Sequence, residues 1–425
     1  MKRFLFLFSL AILAGHMQAQ LPFVFDFSGG KAAKNAIPVN ENTLYQTSEQ
    51  GFGYDILPAP AKKSNDPWFF SIELPDGNYR IRVVIGSKKE AAVTTLRGES
   101  RRLFVDRLAT KKGETVERVF IVNKRGTKIS DKESVKIKER ERGSLTWDDK
   151  ITLEINGDRP RVQSITIERD DKVPTIFLCG NSTVVDQRDD PWASWGQMLP
   201  VFLTDEVAVA NYAESGESAS SFLGAGRLKK ILTEMKEGDF VAIEFGHNDQ
   251  KQKGPGKGAY YNYMTNLKTF VDEVRENGGT PLLVTPTRRR NFDEKGKITN
   301  THADYPEAMR WLAEKENVAL IDLHAMTKVL FEALGVENSK NALVHYPANT
   351  YPNQETALAD NTHFNPYGAY EVAKCVVEGL KSLDLPLKNY IRADYVPFDP
   401  AKPDNFDAYV WDPSPFVEIE KPEGN

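Results

Sequence analysis

Hydrophobic and polar residues alternate in the first part of the chain and run together in the second. Tyr79, Ile81 and Val83 are separated by Arg80 and Arg82, directly after the turn sequence Pro75-Asp76-Gly77-Asn78. One face of that extended segment is therefore apolar and the other charged. Segments 23–26, 68–73, 116–122, 151–155 and 162–168 have the same short, strand-like character, with Gly-, Asp- and Lys-rich turns between them and no convincing helical period. This pattern predicts an antiparallel β-sandwich over residues 21–172. The densely charged stretch 124–142 is expected to be a hairpin or long loop on the surface.

After Pro174 the grammar changes. Segments 175–179, 207–210, 241–245, 282–285 and 318–321 are continuous apolar runs, as expected of strands buried on both faces of a parallel sheet. Helical patterns over 227–236, 264–277, 305–316, 325–334 and 366–383 lie between and after them. The alternation predicts a doubly wound α/β domain with a parallel five-stranded sheet over 173–384. The tail, 385–425, is rich in Pro, Asp and aromatics and is expected to wrap the surface without regular structure.

Composition and charge narrow the function. Residues 1–20 have the layout of a cleaved secretory signal peptide: Lys2 and Arg3, an apolar run over 4–15, then Gln18-Ala19-Gln20, with cleavage expected near Ala19. No cysteine lies there to carry a lipid anchor, so a secreted or periplasmic soluble protein is expected. No later apolar run is long enough to span a membrane. Across all 425 residues the net charge is −5, which argues against nucleic acid as the main partner. That total divides unevenly, into about +5 over 21–172 and about −12 over 173–425, as if the halves met different partners. The two cysteines, Cys179 and Cys375, cannot build a disulfide framework or a four-cysteine zinc site. Both sit in apolar stretches and are read as buried thiols. No metal or organic cofactor is called for, and the oligomeric state is not encoded in any readable pattern.

In an open parallel sheet the working crevice lies at the carboxyl ends of the strands. The first apolar run ends in Gly180-Asn181-Ser182-Thr183 and the second in Asn211, with Gly216 five residues later. The third ends in Gly246-His247-Asn248-Asp249, and Asp360-Asn361-Thr362-His363 precedes the last helix. A serine hydroxyl needs a base to become a nucleophile, and His363 can serve. Asp360, three residues earlier, can orient the imidazole. The backbone N–H groups of Ser182 and Gly216 and the side chain of Asn248 can supply three donors to an oxyanion. His247 either shapes the pocket or caps the loop. Arg288-Arg289-Arg290 follow the fourth strand, and one or two of these cations are expected to meet substrate carboxylates. Trp192 and Trp195 are candidates for sugar-stacking platforms or for core.

These four blocks resemble those of the SGNH (GDSL) hydrolase superfamily, over residues 174 to 383. The strings GNSTV, FGHNDQ, VTPTRRR and DNTHFNPYGA are most similar to its rhamnogalacturonan acetylesterase group, carbohydrate esterase family twelve. The resemblance implies a flavodoxin-like hydrolase fold, with Ser182, His363 and Asp360 as catalytic residues and Ser182, Gly216 and Asn248 as the oxyanion hole. His247, Asn211 and the three arginines become candidate substrate contacts. One position departs from the family pattern: Asn181 stands where an aspartate is usual. The implied activity is removal of acetyl groups from acetylated plant-wall polysaccharide through an acyl-enzyme. The same machinery could instead serve as a pectin methylesterase or acetylxylan esterase, and a glycan-binding protein with a decayed site is the non-enzyme alternative. A lipase is disfavoured, because no long apolar lid segment is evident. Through the string LPDGNYRIRV the first domain resembles galactose-binding-like β-sandwich modules, which implies either glycan binding or a structural lid.

Overall fold

In the computed structural model of the chain, the described residues are 22–415, apart from 31, 48, 50, 62 and 63, together with Glu423. The signal-peptide segment lies outside them. Ten strands come from the first half: β1 (Phe23–Asp26), β2 (Ile37–Pro38), β3 (Phe52–Asp55), β4 (Trp68–Glu73), β5 (Gly77–Gly86), β6 (Ala92–Gly98), β7 (Arg102–Thr110), β8 (Thr115–Lys124), β9 (Lys150–Asn156) and β10 (Val162–Arg169). They form two facing sheets with orders β3-β4-β9-β6-β7 and β8-β5-β10-β1-β2. The alternation in β5 does what its period requires. Ile81, Val83 and Ile85 are buried and join Phe25, Phe70, Phe120 and Ile155 in a core between the sheets, while Arg80 and Arg82 stay outside it.

The second half supplies β11 (Thr175–Cys179), β12 (Ala208–Asn211), β13 (Phe240–Ile243), β14 (Thr280–Val284) and β15 (Ala319–Ile321). These strands are parallel, in the order β15-β14-β13-β11-β12. Helices α1 (Trp195–Met198), α2 (Ala219–Gly224), α3 (Arg227–Glu234), α4 (Met264–Glu276), α5 (Tyr305–Lys315), α6 (Leu323–Asn338) and α7 (Pro366–Ser382) accompany them. Successive β11 residues serve opposite cores: Ile176 and Leu178 pack with α6 and α7, Phe177 and Cys179 with α3, α4 and α5. Burial on both faces is why these segments carry no polar alternation. Within α6, helical geometry breaks at Gly335 (φ 77°, ψ 175°), next to the predicted end. An antiparallel hairpin, β16 (Leu343–Tyr346) and β17 (Leu358–Phe364), precedes α7. Cys179 and Cys375 are buried free thiols. No described helix is long and apolar enough to cross a membrane.

The halves are more intimately joined than two domains on a linker. Strand β12 lies beside β8, with Val209 opposite Val122, so one ten-stranded sheet runs through both. The charged loop after β8 is not simply a surface loop: Val135 and Glu141 are buried, and Glu141 pairs with Arg227 of α3 at 2.6 Å. Nor does the tail only wrap the surface, although regular structure among its described residues is confined to two short 3₁₀ turns. Trp411 Nε1 and the Ser414 N–H each donate to the Asp190 carboxylate at 2.9 Å. The Arg97 guanidinium stacks 3.9 Å over the Trp411 ring and donates to the Asp412 carbonyl. The tail therefore clamps the sandwich to the α/β half. Replacing Trp411 with alanine removes the cation–π contact and a hydrogen bond to a charged group, and should cost about 3 kcal/mol. Thermal unfolding followed by calorimetry should show a lowered melting temperature.

Candidate active site

The site is assembled at the carboxyl edge of the parallel sheet. Ser182 follows β11 in a turn whose Asn181 side-chain oxygen accepts the Thr183 N–H at 3.1 Å. Gly180 is required there by packing, because a Cβ would come within 2.5 Å of a Val184 methyl. Strand β17 carries both remaining partners. Asp360 Oδ1 accepts the backbone N–H groups of Thr362 and His363, at 2.8 and 3.0 Å, which bends the chain so that the His363 ring meets its own carboxylate. His363 Nδ1 lies 2.8 Å from Asp360 Oδ2, and Nε2 lies 2.7 Å from Ser182 Oγ. Burial alone would raise the Asp360 carboxyl, but the bond and charge of His363 and the two backbone donors outweigh it and hold it well below its usual range. Asp360 therefore stays ionised at any pH where the imidazole can act as a base.

The other predicted donors stand on loops bonded to the nucleophile turn. Gly216 lies in the loop after β12 with φ 79°, a left-handed conformation that favours glycine. Asn248 Nδ2 donates to the Glu217 carbonyl at 3.0 Å, which ties the loop after β13 to the one holding Gly216. In turn the Glu214 N–H donates to the Gly180 carbonyl at 3.2 Å. The loops after three adjacent strands are thus pinned to one another.

Several candidate substrate contacts take other roles. Both amide protons of Asn211 are used inside the protein, by the Val184 carbonyl at 2.6 Å and Asp186 Oδ1 at 2.8 Å. It braces the turn after Ser182 rather than facing a ligand. The His247 ring is buried, with Nε2 3.2 Å from Thr287 Oγ1 and Nδ1 3.0 Å from His302 Nε2. Burial, with His302 and Arg289 nearby, keeps it neutral. Trp192 and Trp195 are buried core and cannot stack on a sugar. The arginine triplet does lie against the site: Arg289 donates to the His247 carbonyl at 3.2 Å, and Arg290 to the carbonyl and side-chain oxygen of Asn361. Arg288 donates to the His324 carbonyl at 3.4 Å. Among the described residues none of the three has a carboxylate within 4 Å.

Sequence reading missed Glu244, which lies beneath the nucleophile turn. Trp195 Nε1 donates to its Oε2 at 2.6 Å, and Thr183 Oγ1 lies 2.6 Å from its Oε1 and 3.0 Å from Asn181 Oδ1. It also missed Lys138 and Arg140 of the first half, which reach the Ser215 carbonyl. Nothing in the local sequence marks these three, since the partners that place them lie 49 to 77 residues away.

A nucleophile turn, an Asn-bearing loop and an Asp-x-x-His strand on this sheet edge define a GDSL-like hydrolase. Residues 174–369 match the GDSL-like lipase/acylhydrolase family, and the chain belongs to it. Rhamnogalacturonan acetylesterase RhgT of Bacillus subtilis (strain 168) is 44% identical over 218 residues, covering 51% of this chain and 93% of that protein. A second protein of that strain, the probable rhamnogalacturonan acetylesterase YesY, is 36% identical over 51% of this chain and 96% of its own length. The uncharacterized esterase YxiM, also from that strain, is 24% identical over 84% of this chain and 90% of its own, so that likeness reaches into the sandwich. This chain is accordingly an ester hydrolase.

Glu244 gives the site a testable pH signature. Full burial pushes its carboxyl up from an ordinary 4.5 to about 7, despite the Thr183 and Trp195 bonds. A raised carboxyl contributes stability that is fully present below about pH 4.5 and lost as pH rises through about 7. Over that window this group alone should remove about 3 kcal/mol. Urea unfolding at pH 5, 6.5 and 8 should show the decline in the natural protein and a flatter profile in Glu244→Gln.

Proposed function

We propose that the protein is an exported serine esterase that removes acetyl groups from pectic polysaccharide of the rhamnogalacturonan type through an acyl-enzyme. The observation that carries this is the continuous relay Ser182–His363–Asp360, with both hydrogen bonds within 2.8 Å. Ser182 Oγ attacks the ester carbonyl while its proton passes to His363 Nε2. Asp360 fixes the ring and stabilises the imidazolium. The Ser182 and Gly216 N–H groups and the Asn248 amide receive the oxyanion. The sugar hydroxyl then departs with the proton from His363, and water repeats the sequence to release acetate. The substrate class is supported by the names of the relatives and by the arginine triplet, whose charge suits a polymer bearing uronate carboxylates. The signal-type leader over 1–20 belongs to the same reading, since such a substrate lies outside the cell.

Ser182→Ala should lower kcat for acetate release on the order of 10⁶-fold, and Asp360→Asn on the order of 10⁴-fold. Acetate measured enzymatically from acetylated rhamnogalacturonan should far exceed that from acetylated xylan, with no methanol from methylated pectin. Turnover surviving in Ser182→Ala would overturn the mechanism, and a preference for xylan the substrate. Single replacement of Arg288, Arg289 and Arg290 by methionine should raise KM on acidic acetylated oligosaccharides more than on neutral ones. Unchanged kinetics on both would remove the arginines from substrate binding.

A further inference from the structure

The Ser215–Gly216 peptide bond is gripped from the first half of the chain. Its carbonyl oxygen accepts two cationic donors, Lys138 Nζ at 2.7 Å and Arg140 Nη2 at 2.5 Å. Both come from the loop between β8 and β9 and sit at a short 3₁₀ turn, Glu139–Gly143. That turn is itself anchored. Glu141, buried, accepts the Lys138 N–H at 2.7 Å and pairs with Arg227 of the α/β half. Lys138 also meets Glu217 at 3.5 Å and Glu423 at 2.8 Å, and Arg140 meets Glu214. The two cations, though partly exposed, are therefore held in place.

At the other end of this same peptide unit is the Gly216 N–H. A peptide group is conjugated from oxygen to nitrogen, so positive charge on the oxygen withdraws density from the N–H and makes it a stronger donor. Two donors on one carbonyl also stop the peptide from rotating, which the left-handed glycine would otherwise permit cheaply. We infer that Lys138 and Arg140 are positioning residues for acyl transfer, through which the sandwich domain aims and polarises the Gly216 N–H toward the developing oxyanion. The inference rests on the esterase reading of Ser182 given above.

The gain falls in the transition state. As Ser182 Oγ bonds to the carbonyl carbon, the π pair moves onto oxygen and the serine proton moves to His363. The new negative charge then lies one peptide unit from two cations. When the tetrahedral species collapses, the pair re-forms the C=O bond, and the leaving oxygen takes the proton from His363. The ground-state ester carbonyl carries far less charge, so the effect should appear in kcat and not in KM. On this account the first domain is part of the catalytic apparatus, whatever glycan it also meets.

The test uses the full-length protein with 4-nitrophenyl acetate, a small neutral ester with no sugar to contact. Lys138→Met and Arg140→Met, singly and together, should lower kcat, by about 10- to 100-fold in the double variant, with KM within about twofold. The conservative pair Lys138→Arg and Arg140→Lys should recover most of that loss. Lys138→Gln, which keeps a donor without the charge, should fall between. Inactivation by an organophosphonate, whose transition state is also anionic, should slow in parallel. Unchanged kcat in the methionine variants, with Ser182→Ala inactive, overturns this inference and leaves the esterase reading standing. A rise in KM at constant kcat also overturns it, because it would mark the two residues as substrate contacts. Turnover in Ser182→Ala overturns the esterase reading instead. If the double variant does not fold, the single Lys138→Met and Lys138→Gln variants decide the question by the same kcat criterion.

Discussion

Buried ion pairs across the two halves are the constraint on which the rest of this molecule depends. Arg101 pairs with Asp190, Arg102 with Asp186, and Glu141 with Arg227, each at a few per cent exposure or less. Such pairs gain little net stability, because desolvating the charges cancels much of the attraction. Their effect is on geometry. Any docking that shifted the sandwich by a few ångströms would leave a guanidinium or carboxylate buried without its partner, at a cost of about 3–5 kcal/mol. One arrangement is selected, and it is the one that holds both active-site loops. The tip between β6 and β7 fixes the segment after Ser182: Arg101 donates to the carbonyls of Gln187 and Trp192, and Gln197 donates back to the Ser100 carbonyl. Gln187 in turn donates to the carbonyl of Ser182 at 2.7 Å. The turn at 139–143 fixes the loop of Gly216 in the same way.

Within that frame, Asn181 acquires a physical explanation. The role expected of a side chain at this position is to accept the N–H two residues on and shape the nucleophile turn, which an amide oxygen does as well as a carboxylate. What an amide does not bring is a second negative charge. Glu244 is already buried beneath the turn, one hydroxyl away through Thr183. An aspartate at 181 would place two carboxyls around that hydroxyl in a site closed to water, and like charges so placed cannot both ionise. The chain therefore has one carboxyl under the nucleophile, contributed from β13's end rather than from the turn itself.

How much of this could be read in the sequence follows from where each residue's partners lie. The parallel strands were legible because burial on both faces leaves continuous apolar runs, and β11 matches its expected bounds. Ser182 and Asn248 were legible because a parallel sheet delivers its strand ends to one edge, and Asp360 and His363, which lie on the separate β16–β17 hairpin, were legible from their three-residue spacing just before the last helix. Strands β6 and β7 were not, since Arg97 and Arg102 interrupt the apolar pattern and are buried only through Glu154 and Asp186 far along the chain. Strand β17 was hidden by its own function: LADNTHF spends its apolar positions on a carboxylate and an imidazole. The tryptophans after Ser182 misled for the opposite reason. Near a predicted site they suggest stacking platforms, but both are buried, and Trp195 packs in the core and donates to Glu244. Asn211, at a strand end, likewise looked outward and turns inward to Asp186.

The arginine triplet shows how charge can be fixed in place without being spent. Arg289 and Arg290 are held by the His247 carbonyl, the Asn361 side-chain oxygen and the hydroxyls of Thr301 and Ser339. Neutral acceptors satisfy the guanidinium geometry but leave its charge uncancelled. A carboxylate in the same position would have oriented the side chain equally well and extinguished its field. Lys138 and Arg140 differ, since acidic neighbours accompany them, yet each still turns a donor onto the same neutral carbonyl. In both places the protein sets cations on peptide oxygens at the edge of the site; the arginines keep their field, whereas Lys138 and Arg140, offset by Glu214, Glu217 and Glu423, act through their bonds to the Ser215 carbonyl. The markedly acidic character of the α/β half makes that arrangement necessary. Without cations held at the edge, a negatively charged transition state would develop within a like-charged surround.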